Sequence, residues 1–415
     1  MLARLYEKWM VAWETALTTR DVNRVERPLE WGFDDLWDFG GEEAAGRVER
    51  GEVSGLEAMI ALNGRIVAQP HAFFDYETPT DFGIEQRFPE LYPTNVRPET
   101  LEQEREWKRM AEAGELRKVP FLRFTSGVRT PYPENDVVNA RWYPVEQGIG
   151  DRGVEDREGK GKDERRRPRQ AMIVMPQWNA DAFSHNVLCE MFNKFGISCL
   201  RLSKPYHDVR RPAELERADY AVSANVGRTI AACRQAVVDI RSCMDWLETQ
   251  GYEQFGVLGT SLGSAYGFIA AAMDPRLRVC AFNHASTQFG DVVWTGQSTR
   301  HLKAAFESAG LSQEQVRAMF AGVSPMSFMQ AFAATGAARW EGDLPRRTLV
   351  VYAPYDLTFV VEYSREVLRQ FAAHGVDYVA KVLPCGHYTT GETPYKYLDG
   401  WYLGSFIWGA FKRLR

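Results

Sequence analysis

The pentapeptide Gly259-Thr260-Ser261-Leu262-Gly263 carries the chain from one kind of secondary structure to another within a single turn, and it constrains the fold more than any other stretch. Ahead of it, Phe255-Gly-Val-Leu258 is short and apolar, as a buried strand is. Behind it, Ser264 to Met273 is rich in small apolar residues and closes at Asp274-Pro275, the pattern of a tightly packed helix. In so sharp a turn, a side chain two positions either side of the serine would collide with neighbouring backbone. Glycine at both places removes the clash and leaves Ser261 at the tip of a strained strand-to-helix turn, a nucleophile elbow.

A serine hydroxyl is a weak nucleophile at neutral pH, so it needs an adjacent base, and the base needs a carboxylate to fix its tautomer. With this kind of elbow the acid and then the base follow the serine along the chain. Of the seven histidines, only His374 and His387 lie far enough downstream. His374 falls at the end of an amphipathic helix just before Gly375, where a histidine meets the last helix carbonyls. His387 follows the strand Tyr378-Val-Ala-Lys-Val-Leu383 through Pro384-Cys-Gly386, at the strand's carboxyl end, the edge where catalytic groups gather on a parallel sheet. Asp356 is placed in the same way by the run Arg347 to Ala353, whereas Asp343 and Asp377 precede strands and belong at the opposite edge. The competing role for Asp356 is to cap the segment that starts near Leu357. An oxyanion also needs two main-chain donors. One is expected from Leu262, and the other from Trp178 or Gln177 in the turn Pro176-Gln-Trp-Asn179 after the strand Ala171–Met175.

From Ala171 onward, strand and helix patterns alternate. Such repeats require a mostly parallel sheet covered on both faces. Val119–Thr125 and Asp136–Tyr143 read as antiparallel strands that precede it. Residues 1–118 read as an extension of helices with long irregular connections, broken in the middle by Pro79, Pro89, Pro93 and Pro98. Residues 119–415 form the expected catalytic domain, with 286–343 as a small helical cap inserted between strands, and Trp401 to Arg415 as a closing helix. Gln147 to Arg169 is dominated by charge and glycine and reads as a solvated loop, with a phosphate-binding patch at Arg165-Arg-Arg167 as the alternative.

A net charge of −5, from 55 acidic and 50 basic residues, does not favour nucleic acid as a partner. The six cysteines show no Cys-x-x-Cys spacing, and no metal or cofactor motif is found. Cys385 is near His387, but a thiol nucleophile would leave the elbow without a purpose. No apolar run is long enough to span a bilayer, and the charged start lacks a signal-peptide core, so the expectation is a soluble cytoplasmic protein. Trp9, Met10, Trp13 and Leu17 have helical spacing. Packing on the body is expected of that stripe in preference to a membrane surface.

Together the elbow, the ordered acid and base, and the alternation of strands and helices resemble the α/β-hydrolase superfamily over residues 119–415. Lys204-Pro-Tyr-His-Asp-Val-Arg-Arg-Pro212, Trp246-Leu-Glu-Thr-Gln-Gly-Tyr252 and Ser286-Thr-Gln-Phe-Gly-Asp-Val-Val-Trp-Thr-Gly296 look like an abhydrolase-domain-containing group within it. The resemblance implies Ser261 as nucleophile, Asp356 as acid and His387 as base, and supplies no substrate; the first reading is a serine hydrolase acting on a carboxylic ester or thioester of a small molecule or lipid through an acyl-enzyme. An amide hydrolase with the same triad, or an inactive hydrolase fold serving as a binding or scaffold protein, are the alternatives. Tyr206, His207, Arg210 and Arg211 leave a strand at its carboxyl end and are expected on the catalytic rim as contacts to an anionic or polyhydroxylated substrate. His284 also ends a strand, but it lies upstream of Asp356 and is expected to make a structural hydrogen bond.

Overall fold

The structure is a computed structural model that describes residues 2–20, 23–91, 96–145, 168–340 and 343–414. Its centre is one sheet, with nine strands among the described residues. They are β1 (Gly83–Arg87), β2 (Val119–Thr125), β3 (Val137–Tyr143), β4 (Gln170–Met175), β5 (Ile197–Leu202), β6 (Gln254–Thr260), β7 (Leu277–Asn283), β8 (Arg347–Tyr352) and β9 (Tyr378–Val382). The order across the sheet is β1-β2-β3-β5-β4-β6-β7-β8-β9. The pairs from β1 to β5 are antiparallel, and every pair from β5 to β9 is parallel. This is an α/β-hydrolase fold.

Strands β4, β5 and β7 are buried throughout, as parallel strands covered on both faces must be. Successive residues of β4 serve opposite cores. Ala171, Ile173 and Met175 face the helices Val226–Thr249 and Leu262–Met273, while Met172 and Val174 face the helices Asn186–Lys194 and Tyr395–Arg413. Each fully buried aliphatic side chain of this kind contributes about 1.5–3 kcal/mol relative to exposure.

The amino-terminal residues hold two departures from the sequence expectation. β1 lies inside the stretch expected to be helical and irregular, and it adds an edge strand to the sheet. Its sequence Gly-Ile-Glu-Gln-Arg shows no apolar alternation because four of its five residues are exposed. It is held through main-chain pairing and the bond from Arg123 to Glu85 at 2.6 and 2.7 Å. Pro98 starts a helix, Pro98–Glu112, where a break was expected. A proline in the first turn removes only a donor that has no intrahelical acceptor.

The amino-terminal helix Leu2–Thr18 packs on the body with Met10 and Leu17 buried, while Trp9 stays half exposed. No helix among the described residues is long and apolar enough to cross a membrane. Residues 286–340 between β7 and β8 are helical, as expected, and side chains such as Phe289 and Val293 contribute to the wall above the carboxyl ends of the strands. Residues 147–167 of the expected loop, with the arginine patch at 165–167, and Pro93 lie outside the described residues.

Candidate active site

Ser261 joins β6 to the helix Leu262–Met273 with φ 55° and ψ −119°. A non-glycine residue there carries strain on the order of 1–3 kcal/mol, which its surroundings must offset. The Ser261 amide donates to the Asn283 carbonyl at 2.8 Å, and the Ser264 hydroxyl donates to the Ser261 carbonyl at 2.6 Å. The flanking glycines are sterically required. A Cβ on Gly259 would lie 2.2 Å from the Gly263 carbonyl oxygen, and one on Gly263 would lie 2.1 Å from that of Met175.

The Ser261 hydroxyl is 2.8 Å from His387 Nε2, and His387 Nδ1 is 2.8 Å from Asp356 Oδ2. The two roles weighed for Asp356 are shared between its oxygens. Oδ1 accepts the amides of Thr358 at 2.7 Å and Phe359 at 2.6 Å, capping the turn, while Oδ2 faces the imidazole. Burial alone would raise the Asp356 carboxyl, but His387 and His284 hold it well below the usual carboxylate range. His387 feels the converse. Burial pushes its pKa down, and the nearby carboxylates of Asp356 and Glu14 more than offset this, so the net shift is upward.

Two groups at this site escaped the sequence reading or exceeded it. His284 was expected to make a structural hydrogen bond, and its partner is the candidate acid itself: Nδ1 lies 3.1 Å from Asp356 Oδ2 and Nε2 lies 3.0 Å from the Thr390 hydroxyl. Burial and the neighbouring His387 lower the His284 pKa, against the pull of Asp356. Glu14, a charged residue of the first helix, is fully buried beside the His387 loop. The signal for it was present, because Glu14 is four residues after Met10 and three before Leu17, on the same buried helical face.

Leu262, Trp178 and Gln177 all line the cavity beside Ser261. None of their main-chain amides is taken by a protein acceptor among the described residues. The turn that carries two of them is held from below: the buried Lys204 Nζ donates to the Gln177 carbonyl at 2.9 Å, and the Asn179 amide donates to His207 Nε2 at 3.0 Å. In a planar trans peptide, a Gln177 carbonyl drawn toward Lys204 turns the Trp178 N–H to the opposite side.

The expected substrate contacts of the 205–211 loop are corrected by their burial. Tyr206, His207 and Arg210 are at most 1% exposed, and neither they nor Arg211 line the cavity. Arg210 pairs with Asp239 at 2.7 Å and donates to the Ser203 and Asn135 carbonyls. Tyr206 packs edge-on against Tyr132 and Tyr220, and His207 supports the Pro176–Asn179 turn. Instead of running over the rim, the loop folds inward about a buried Arg201–Asp208 pair at 2.6 Å.

Cys385 is buried, with its thiol pushed up to about 12 by burial, a poor setting for a thiolate nucleophile. His374 Nδ1 meets the Gln370 carbonyl at 2.9 Å, the helix-end role expected of it. Above Ser261 and His387 opens a cavity of about 1160 Å³, with walls that include Leu188, Met191, Val222, Phe289, Val293 and Phe359. His284, Asp356 and His387 are the one group of potential ion-binding side chains found among the described residues. Their facing atoms are already engaged with one another, with Ser261 and with Thr390.

A parallel sheet with an antiparallel edge, helices on both faces and a serine on a strained strand-to-helix turn make up the α/β-hydrolase fold. Within it, residues 181–387 match the family described as alpha/beta hydrolase domain containing 18. A segment of 106 residues, 24% of this chain, is 33% identical to an uncharacterised 31.7 kDa protein in the traX-finO intergenic region of Escherichia coli. That match spans 36% of the bacterial protein, so this chain covers about a third of the relative's length. Acetyl xylan esterase 1 from Thermoanaerobacterium sp. JW/SL YS485 is similar in structure, with a TM-score of 0.50 at 13% identity over 86% of this chain and 94% of that one. An acetyl xylan esterase from Paenibacillus sp. R4 aligns with a TM-score of 0.46 at 11% identity over 69% of this chain and 83% of the other.

Proposed function

We propose that the protein is a serine hydrolase that cleaves a carboxylic ester or thioester through an acyl-enzyme intermediate. The observation that carries this reading is the unbroken relay from Ser261 to His387 to Asp356, with 2.8 Å at each step, at the floor of a large cavity. His387 Nε2 takes the serine proton as Oγ attacks the acyl carbon, and it returns that proton to the leaving alcohol or thiol. Asp356 Oδ2 fixes the tautomer that leaves Nε2 free and stabilises the imidazolium. Positioned proton transfer of this kind is worth roughly 10²–10⁴-fold. The amides of Leu262 and Trp178 or Gln177 are assigned to the oxyanion, where each donor contributes on the order of 10²–10³-fold. Water then repeats the sequence to release the acid. The apolar walls suit a substrate with a hydrocarbon portion, and the structural similarity to acetyl xylan esterase 1 agrees with ester chemistry.

A fluorophosphonate probe tests the assignment. It should label the wild-type protein and leave Ser261→Ala unlabelled, and p-nitrophenyl esters of graded chain length should be hydrolysed by the first alone. Absence of labelling in a folded wild-type protein would support the inactive binding or scaffold role. Labelling that persists in Ser261→Ala would move the nucleophile elsewhere.

A further inference from the structure

We infer that Glu14, on the amino-terminal helix, is a positioning residue for His387, so that the catalytic base is completed by a segment outside the strand-and-helix core. The inference rests on the reading of Ser261, His387 and Asp356 as a triad.

Glu14 Oε1 accepts the Tyr388 amide at 2.8 Å, and Oε2 accepts the Thr389 amide at 2.9 Å and the Thr389 hydroxyl at 3.1 Å. That hydroxyl in turn accepts the Gly386 amide at 2.6 Å. One carboxylate therefore holds the loop on both sides of His387. Gly386 shows how closely the two are fitted. A Cβ there would lie 2.4 Å from Glu14 Oε2, 2.5 Å from its Cδ and 2.8 Å from its Cγ, so only glycine admits the carboxylate. The helix is tied at its other turns too. The Tyr6 hydroxyl donates to the Pro384 carbonyl and lies 2.7 Å from the Tyr395 hydroxyl, and Thr18 donates to Gln297 at 2.8 Å. Displacing His387 from Ser261 requires breaking these contacts or carrying the helix along.

A buried carboxylate is costly unless donors surround it, and here two amides and a hydroxyl converge on it. Burial is the larger effect and leaves the Glu14 carboxyl above the usual carboxylate range, with the two amides and the charge that forms on His387 acting against it. A glutamine would keep one acceptor oxygen but set its NH₂ against an N–H or O–H donor of the loop. The other groups around the ring are Asp356 and His284 from the strand ends, Tyr388 with Arg24 bonded to its hydroxyl, and Cys385 behind the loop. Lys396 and Asp399 line the same cavity.

The experiment compares wild type, Glu14→Gln and Gly386→Ala in the full chain, with Ser261→Ala as the blank. Hydrolysis of a p-nitrophenyl ester gives kcat, KM and the pH profile. Independently, NMR follows the titration of the His387 ring, assigned by loss of its signal in His387→Asn. Glu14→Gln should lower kcat by roughly ten- to a hundred-fold with KM within about three-fold, because the base is misplaced while the cavity is intact. It should also move the His387 titration, and the acid limb of the profile with it, to lower pH, since a negative neighbour has gone. Gly386→Ala should lower kcat comparably by pushing the carboxylate off the loop. A lowered Tm with kcat and the His387 titration unchanged would overturn the inference. If wild type hydrolyses no faster than Ser261→Ala, the hydrolase reading has failed and the NMR arm alone decides the role of Glu14. Should Glu14→Gln not fold, Glu14→Asp replaces it: a shorter carboxylate that leaves kcat at the wild-type value would equally overturn the inference.

Discussion

The two halves of the proton relay are built in opposite ways. Ser261 is held by its own neighbours in the chain: two glycines, a strand ending at Thr260 and a helix starting at Leu262 make the turn, and only the Asn283 carbonyl joins from the next strand. His387 sits on a loop held by distant residues. Asp356 is 31 positions away and Glu14 is 374 positions from Tyr388. A locally built site imprints a motif on the sequence, whereas one assembled by long-range contacts leaves only separate residues whose meeting has to be found in space.

The sharpest way to break that comparison is to show that the two halves do not act as one unit. Ser261→Ala should lower kcat on the order of a million-fold, His387→Ala nearly as much, and the double variant little more than either. Steady-state kinetics of all three on one ester checks this. Multiplicative losses would mean that the 2.8 Å contact between the halves plays no part in the chemistry.

Asp356→Asn is expected to be next in size, a loss of roughly 10⁴-fold in kcat with the fold retained. The amide cannot accept the Nδ1–H of His387 through its nitrogen, and with that hydrogen bond lost the tautomer inverts. The loss should be accompanied by a lower pKa for His387, because the carboxylate is a main cause of its upward shift. Wild-type kcat/KM should fall as pH drops through that pKa, on the high side of the ordinary histidine value, because only neutral His387 can take the serine proton. In Asp356→Asn the residual activity should persist to lower pH.

How much of this was legible follows the same division. The elbow and the strand-helix alternation rest on residues adjacent in sequence and could be read there, whereas Asp356 and His387 could be named only as candidates, from their places at strand ends and their order after Ser261. β1 could not be read, because an exposed edge strand has no core face to impose alternation. The 205–211 loop was misread for a physical reason: leaving a parallel strand at its carboxyl end usually carries polar residues to the rim, but the Arg201–Asp208 and Arg210–Asp239 pairs supply buried partners that draw this one inward. Glu14 had the helical spacing of a buried position. Its charge argued for the surface, and only a cluster of main-chain donors in a loop nearly the full length of the chain away overrides that argument.

The Pro176–Asn179 turn lies between the two extremes, close to the elbow in space but fixed by Lys204 and His207. If Trp178 supplies the second oxyanion donor, Trp178→Pro should lower kcat by roughly a hundred-fold, whereas Trp178→Phe, which keeps the amide, should leave kcat nearly unchanged and alter substrate preference. Equal kinetics for a folded Trp178→Pro would reassign the donor to Gln177, for which the same pair of variants serves.

The smallest effect concerns His284, the second imidazole on Asp356 Oδ2. His284 Nε2 lies 3.0 Å from the Thr390 hydroxyl, and an N–H given from Nδ1 to Asp356 draws some of the carboxylate's charge away from His387. His284→Asn keeps an N–H donor near the Nδ1 position and tolerates the φ of 58° found there, so its pH profile should match the wild type. His284→Leu removes the donor. The carboxylate then binds imidazolium more strongly, the His387 pKa rises, and the acid limb of kcat/KM should move to higher pH with only a few-fold loss of kcat at its plateau. Loss of both ring hydrogen bonds lowers Tm in any case, so a lower Tm decides nothing. The position of the limb decides. A limb shared by Asn, Leu and wild type would make His284 a packing residue, and the base side would then depend on Asp356 and Glu14 alone.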